Sequence, residues 1–369
     1  MKSWNVVVLG ATGAVGRAML ECLESTGLSI RDLRLLAGAR SAGRRVRALG
    51  RELVVEPPTK EAFEGADLAL FSAGAAASEV WAPVGVAEGA WVIDNSSRWR
   101  MAPDVPLVVP EVNASAIPEK PGLIANPNCS TIQLVVALEP IRRRYGLRSV
   151  FVATYQSASG KGYAGVLALR AEREAASAAG APANVSPESS GAVPAASHVA
   201  SALPHAGQAP VPAPPVFPCP LDGNVIPHCD VFLPDGFTRE EEKMIQETRK
   251  ILDMPALAVH PTCVRVPVEV AHSEAVYLQT EEPVSAEEAR LLLAAAPGVR
   301  VLDDPSTGAY PTPAAAVGTD PVWVGRIRAD RSDPRGLHLW VVADNLRKGA
   351  ALNAVQIVQA IRERELVSR

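Results

Sequence analysis

The chain has 369 residues, enough for two domains with a core each rather than one, and 48% hydrophobic against 21% charged residues is the balance of a globular protein. Its formal charge of −4, from 36 basic and 40 acidic residues, leaves no broad electrostatic footprint for nucleic acid or anionic lipid. Residues 1–10 lack a cationic region followed by a long apolar segment, and no later window is apolar for about 18 residues, so no signal peptide or membrane span is expected and the cytosol, a cytoplasmic location, is the default. The five cysteines (Cys22, Cys129, Cys219, Cys229 and Cys263) are widely separated, odd in number and form no CxxC pair. That argues against a disulfide framework, and His228 beside Cys229 is too little for a metal site.

Residues 4–9 are a short β-branched apolar run, followed by Gly10-Ala11-Thr12-Gly13-Ala14-Val15-Gly16 and a helical pattern through Met19, Leu20 and Leu23. This is strand, tight glycine turn, helix. Such glycines permit positive φ and close backbone approach, so that a pyrophosphate can rest on the amides at the helix start. The spacing is GxxGxxG rather than the commoner GxGxxG, but it follows the first strand and opens the first helix, the context a dinucleotide site requires. Residues 33–37, 53–56, 68–72 and 91–93 read as further strands with helical or loop material between them, which implies a parallel, doubly wound sheet. Two polar loops fall at its strand ends, Ser72-Ala73-Gly74 and Asp94-Asn95-Ser96-Ser97. Either can be a plain turn; Ser72 and Gly74 are read as cofactor contacts.

Residues 123–125 look like a strand end, and 131–138 are apolar except for Gln133, a buried helix. Between them lies Asn126-Pro127-Asn128-Cys129-Ser130-Thr131. A cysteine at such a junction meets unpaired helix amides and the positive end of the macrodipole, both of which favour the thiolate. Most free cysteines are inert core residues, so the nucleophile reading leans on its partner motifs. Farther on, 150–155, 264–270, 275–280 and 337–343 read as strands and 239–252 as a charged helix: a second, α+β domain with a mixed sheet and helices on one side. The Ala/Ser/Pro-rich stretch 175–220 suggests an extended loop or subunit-contacting arm, or equally a flexible insertion. Residues 349–365 return to a helix, with Ala351, Val355, Val358 and Ile361 on one face, expected to pack back on the first domain.

Arg40 and Ser41 follow the second predicted strand, where an NAD site normally places an acidic side chain for the ribose 2′-hydroxyl. A guanidinium and a hydroxyl suit a 2′-phosphate, so NADP is preferred over NAD; a solvated surface arginine is the plainer alternative, with Arg44 and Arg45 nearby. A cysteine and a nicotinamide in one site suggest aldehyde chemistry, in which the sulfur adds to the aldehyde, hydride leaves and an acyl acceptor cleaves the thioester. The proton shuttle this needs is assigned to His272, after a predicted strand in Val270-Ala271-His272-Ser273-Glu274, although a satisfied strand-end histidine fits the same position.

Six segments in order carry a resemblance: Gly10 to Gly16; Asn126 to Thr131; Thr154-Tyr155-Gln156 with Ser159-Gly160; Asn224-Val225-Ile226-Pro227; Arg265-Val266-Pro267-Val268 with His272-Ser273-Glu274; and Asp344-Asn345-Leu346-Arg347-Lys348-Gly349-Ala350-Ala351. Together they resemble the aspartate-β-semialdehyde dehydrogenase family from end to end. The resemblance implies reversible NADPH-dependent reduction of L-β-aspartyl phosphate to L-aspartate β-semialdehyde and phosphate, toward lysine (through diaminopimelate), methionine, threonine and isoleucine. It implies a homodimer, with a Rossmann-type NADP-binding domain over 1–130 and 349–369 and a catalytic and dimerisation domain over 131–348. Cys129 becomes the nucleophile, His272 the acid/base as imidazolium, and Gln156 the group that orients the reacting centre. Arg265 pairs with the substrate α-carboxylate, Glu240 with its α-amino group, and Lys243 and Arg100 with phosphate. The cofactor residues are Gly10, Thr12, Gly13, Ala14, Val15, Gly16, Arg40, Ser41, Ser72, Gly74, Ser159, Gly160 and Asn345. Preferring Arg100 to Arg98 and Glu240 to Glu241 rests on motif alignment, since an i,i+3 Glu/Lys pair usually marks a solvated face.

Lys161, in Ser159-Gly160-Lys161-Gly162, departs from the Ser-Gly-Ala-Gly often found in the family and stands beside the expected nicotinamide pocket, and its role is open. So is that of the Ala/Pro-rich insertion. Two rivals stand: N-acetyl-γ-glutamyl-phosphate reductase, which runs the same chemistry on a substrate whose amide needs no acidic partner, and a catalytically silent, cofactor-binding regulatory protein.

Overall fold

The computed structural model describes residues 3–178 and 215–367. Its first part runs β1 (Trp4–Leu9), α1 (Ala14–Ser25), β2 (Ile30–Leu36), β3 (Arg45–Ala48), β4 (Arg51–Glu56), β5 (Leu68–Phe71), α2 (Ala75–Ala87), β6 (Trp91–Asp94), α3 (Pro110–Asn113) and β7 (Leu123–Ala125). The strands form one sheet in the order β3-β4-β2-β1-β5-β6-β7, with every neighbouring pair parallel except β3 with β4. The expected parallel sheet therefore ends in an antiparallel hairpin. Its two-residue turn, Leu49-Gly50, takes positive φ at both positions (51° and 71°). Turns of this kind usually carry Asn-Gly or Asp-Gly, so Leu-Gly among arginines gave no sign of one.

The second part runs α4 (Cys129–Tyr145), β8 (Ser149–Gln156), α5 (Gly162–Ala178), α6 (Arg239–Leu252), β9 (Ala258–Arg265), β10 (His272–Gln279), α7 (Ala286–Ala295), β11 (Val299–Val301), α8 (Pro313–Ala316), β12 (Val322–Ala329) and β13 (Gly336–Ala343). A π-helical turn, Arg347–Ala351, then leads into α9 (Leu352–Val367). The six strands form a mixed sheet, β11-β12-β13-β10-β8-β9. Inward-facing residues such as Val150, Val152, Val276 and Leu339 share one core with α4, α6 and α7. The opposite face carries Phe151, Tyr155, Tyr277, His338 and Trp340 in ring contacts, with Phe151 44% and Tyr155 37% exposed.

Three expectations change. The strand expected at 264–270 lies earlier, at β9, which carries Pro261. Among the described strands β9 is at the edge and pairs with β8 alone, apart from an isolated bridge between Arg265 and Ile226, so the missing N–H of Pro261 is tolerated. The apolar run after it is a loop whose carbonyls are used elsewhere: Val268 O accepts from Ala158 N–H (2.7 Å) and Glu269 O from Ser159 N–H (2.9 Å). The stretch expected to be irregular from 175 is helical to Ala178, residues 179–214 lie outside the described residues, and Phe217 and Leu221 pack with Leu169 of α5. The C-terminal helix does pack back on the first sheet, but more broadly than on one face, since Ala354 and Ile357 are as buried as Val355 and Val358.

Candidate active site

α4 begins at Cys129 because Asn128 caps it: the Asn128 Oδ1 accepts from the N–H of Ser130 (3.0 Å) and Thr131 (3.3 Å). The Asn128 N–H in turn donates to Glu247 Oε2 (2.6 Å). Cys129 thus occupies the expected helix start, and the Ser130 N–H, which it shares with Asn128 Oδ1, favours the thiolate only weakly. Burial, and after it the charge of Glu240, push the thiol up to about 12 against the pull of Arg265 and Arg100. Although the side chain reaches a cavity, the packing around it decides its protonation, and the sulfur is held as a thiol. This corrects the expectation of a stabilised thiolate.

The cavity before Cys129, about 300 Å³, brings together Arg100, Gln156, Glu240, Lys243 and Arg265 with Ser159, Gly160 and Lys161. Val15, from the start of α1, and Asn345 line the same space, so the glycine-turn end and the cysteine share one chamber. α6 supplies the acidic wall. Its capping box uses Glu241, whose Oε2 accepts from the Thr238 N–H (2.7 Å), while its Oε1 accepts from the Cys263 N–H (3.0 Å). Glu240 is the free one of the pair. It accepts from Asn128 Nδ2 (2.9 Å), Gln156 Nε2 (3.3 Å) and Lys243 Nζ (3.1 Å). Burial alone would raise its carboxyl, but Lys243, Asn128 and Arg265 hold it below the usual range. Lys243 also donates to Asp230 Oδ2 (2.6 Å). Arg98 pairs with Glu79 at the surface, whereas Arg100 turns inward to Asn126 O, Asn95 O and Glu247 Oε1 (2.9, 2.9 and 3.0 Å). Arg265 Nη1 donates to Ser157 O (2.7 Å).

His272 opens β10, fully buried behind the lining rather than on it. The residue before it, Ala271, has a φ of +74°, an uncommon value for a residue with a Cβ, and its N–H donates to Asn345 Oδ1 (2.9 Å). The Ser157 N–H donates to His272 Nδ1 (3.0 Å). A backbone amide can only donate, so Nδ1 is an acceptor and the ring proton is on Nε2, which has no partner among the described residues. Burial and the nearby Arg265 lower the imidazole to about 3. His272 is therefore neutral, a correction to the expected imidazolium. Asn345 Oδ1 is filled by Ser157 Oγ, Ser159 Oγ and Ala271.

The glycine turn fits a dinucleotide. A Cβ at Gly16 would lie 2.1 Å from Gly10 O, and one at Gly10, where φ is +92°, 2.7 Å from the Ser72 backbone. Gly13 precedes Ala14 and Val15 at the N-terminus of α1, and no side chain among the described residues caps that helix; the same holds for α2 behind Gly74. Amides at two strand ends are thus left for a ligand, the backbone cradle that a pyrophosphate needs. Thr12 Oγ1 donates to Ser41 Oγ (3.2 Å), tying the turn to the loop after β2. Arg40 in that loop is exposed and does not reach the cysteine cavity.

Glu247, Asn128, Ser157 and Asp230 escaped the reading of the sequence as site residues. Glu247 had a signal, since it lies seven residues after Glu240 on the buried face of an amphipathic helix. Asn128 had one too, as an N-cap asparagine. Ser157 and Asp230 had none.

A cysteine at a helix start, opening on the same chamber as a dinucleotide cradle, is the arrangement of a nicotinamide-dependent oxidoreductase with a candidate nucleophile beside its nucleotide site. The profile described as "Semialdehyde dehydrogenase, NAD binding domain" matches residues 5–120, and "Semialdehyde dehydrogenase, dimerisation domain" matches 138–348. Aspartate-semialdehyde dehydrogenases of Aquifex aeolicus (45% identical, 99% of each chain) and Bacillus subtilis (46%, 98% of this chain and 99% of that one) are similar over nearly their whole length. The crystal structure of aspartate semialdehyde dehydrogenase II from Vibrio cholerae, complexed with ASA, superposes with a TM-score of 0.85 at 40% identity, covering 98% of this chain and 99% of that one. The chain belongs to the aspartate-semialdehyde dehydrogenase family.

Proposed function

We propose that the chain catalyses the reversible, NADPH-dependent reduction of L-β-aspartyl phosphate to L-aspartate β-semialdehyde and phosphate through a thioester on Cys129, in the cytoplasm, toward lysine, methionine, threonine and isoleucine. The observation that carries this reading is the shared chamber: Cys129, Glu240 and Arg265 face the same space as Val15 and Asn345. Residues 1–130 with 349–369 hold the nucleotide, and 131–348 hold the substrate and the dimer contact.

Arg265 offers a planar two-pronged cation to the α-carboxylate, and Glu240 accepts the α-amino group. That second contact also matters for the sulfur. Glu240's charge is the largest electrostatic contribution raising the thiol, so a substrate ammonium against it eases ionisation of Cys129. The sulfur bonds to the acyl carbon, the carbon–oxygen bond to phosphate breaks, and the thiol proton leaves on the departing phosphate. Lys243 and Arg100 steady that anion. When bound across Gly10, Thr12, Gly13, Ala14, Val15 and Gly16, with Ser72, Gly74, Ser159, Gly160 and Asn345 around it and Arg40 and Ser41 at its 2′-phosphate, NADPH supplies the hydride. His272 keeps at Nε2 a proton that has no partner among the described residues, the donor available to the oxygen that gains charge, and Gln156 holds the acyl group in place. When the carbon–sulfur bond breaks, the aldehyde leaves and the thiolate takes from water the one proton that the overall reduction consumes.

The open aromatic face of the second sheet, around Phe151, Tyr155 and Trp340, is assigned to a second copy of the chain; an exposed patch of this kind is unusual on a monomer. Glu240 favours a free α-amino group and speaks against an acylated substrate. The test is NADP reduction with L-aspartate β-semialdehyde, with and without phosphate, beside N-acetyl-γ-glutamyl semialdehyde. Phosphate-dependent turnover of the first alone supports the proposal. Turnover of the second refutes the substrate, and no turnover by nucleotide-bound protein favours a silent regulatory role.

A further inference from the structure

Four cations line the chamber in front of Cys129: Arg100, Lys161, Lys243 and Arg265. Three are committed. Arg100 is ion-paired to Glu247, Lys243 to Asp230 and Glu240, and Arg265 is bonded to Ser157 O. Lys161 has no hydrogen bond or ion pair among the described residues, and its side chain is exposed to the chamber. Its backbone is nonetheless fixed. The turn Ala158–Lys161 is tied to Val268 O and Glu269 O, and it packs so closely on α5 that a Cβ at Gly165 would lie 3.0 Å from the Lys161 Cβ and 2.2 Å from Ala158 O. Lys161 is near the phosphate-side residues. Asp230, which burial would raise, is brought below the usual range by Lys243 first and by the charge of Lys161 more weakly.

A dianionic phosphate entering this chamber shares Lys243 with two carboxylates and Arg100 with a third, whereas Lys161 adds to them an ammonium that has no carboxylate partner to give up. We infer that Lys161 is a phosphate-binding residue of this site, meeting the inorganic phosphate of the oxidative direction and the acyl phosphate of the reductive one. The inference rests on the proposed substrate class, but its main test does not require turnover.

Inorganic phosphate held before Cys129 slows alkylation of that sulfur by iodoacetamide, and the phosphate concentration giving half-protection reads its affinity. In the full-length chain, Lys161→Ala is expected to raise that concentration on the order of tenfold, as expected for loss of a charge-assisted contact, and Lys161→Arg to restore it to within about threefold. In the turnover assay the KM for phosphate should rise similarly in Lys161→Ala, with those for semialdehyde and NADP within about twofold. Equal half-protection in wild type and Lys161→Ala overturns the inference, as does an alanine variant whose loss falls on NADP. If wild type is protected by phosphate and the shift is seen, yet no semialdehyde turns over, the lysine assignment stands and the proposed reaction fails.

Discussion

The glycine turn and the cysteine chamber are built from different materials. At the turn, backbone does the work: helix amides left uncapped at α1 and α2, with glycines allowing close approach at Gly10 and Gly16. In the chamber, side chains do it, and nearly every charge is already matched by another: Arg100 by Glu247, Lys243 by Asp230 and Glu240. A backbone site waits for its anion with little reorganisation, whereas a side-chain site must exchange partners when substrate arrives. In the proposed reaction Glu240, for example, trades contacts with Lys243, Asn128 and Gln156 for an incoming ammonium.

If the two regions are separable, each can be broken alone. Cys129→Ser should lower turnover about 10³-fold or more, measured at saturating substrate, because an alcohol is a far weaker nucleophile here, while NADP affinity by fluorescence titration stays within about twofold. Near-native turnover would dismiss covalent catalysis. Gly16→Ala acts at the other end: its new Cβ meets Gly10 O, so NADP should bind roughly tenfold more weakly or worse. Iodoacetamide should alkylate Cys129 in that variant at the wild-type rate. A changed rate would mean that the turn and the chamber are one cooperative unit.

Arg40→Ala sharpens the comparison, because Arg40, with Ser41, is asked to discriminate by side chain at the backbone-built end. Loss of about tenfold in NADP affinity, with NAD affinity within about twofold, is expected by calorimetric titration. Equal losses for both nucleotides would leave Arg40 a surface residue.

The same contrast explains what the sequence made legible. Strand, GxxGxxG and helix are local, so the cradle was readable from residues 4–23, and α6 matched its expected bounds because its cap Thr238 and charge pattern are local too. The place of Cys129 at a helix start was readable, but its protonation was not. The thiol's environment is set by Glu240, Arg265 and Arg100, residues brought in from more than twenty positions away. His272 illustrates the same limit: its tautomer is fixed by the amide of Ser157, 115 residues distant. The choice of Glu240 over Glu241 rested on motif alignment, although a local signal for it lay in the chain: Glu241 completes a Thr-x-x-Glu box, and that leaves Glu240 for the chamber.

Glu274 gives the smallest expected effect and the finest test of the side-chain region. It lies two residues beyond His272 on the same strand, fully buried, and its carboxyl oxygens have no hydrogen-bond partner of standard geometry among the described residues. Burial raises its pKa well above the usual range, opposed only in part by nearby Gln133. The folded chain thus retains a proton that the unfolded chain releases near about pH 4.3. Stability from this group is complete below that pH and is lost as pH rises toward the folded value. Glutamine mimics the protonated acid without titrating. Glu274→Gln should therefore melt about 2–4 °C above wild type at pH 7.5, with the gap closing at pH 4, and turnover should stay within about twofold. A variant that melts lower at pH 7.5 would show that the carboxyl is ionised and paired, and the wall beneath His272 would then be as charge-matched as the rest of the chamber.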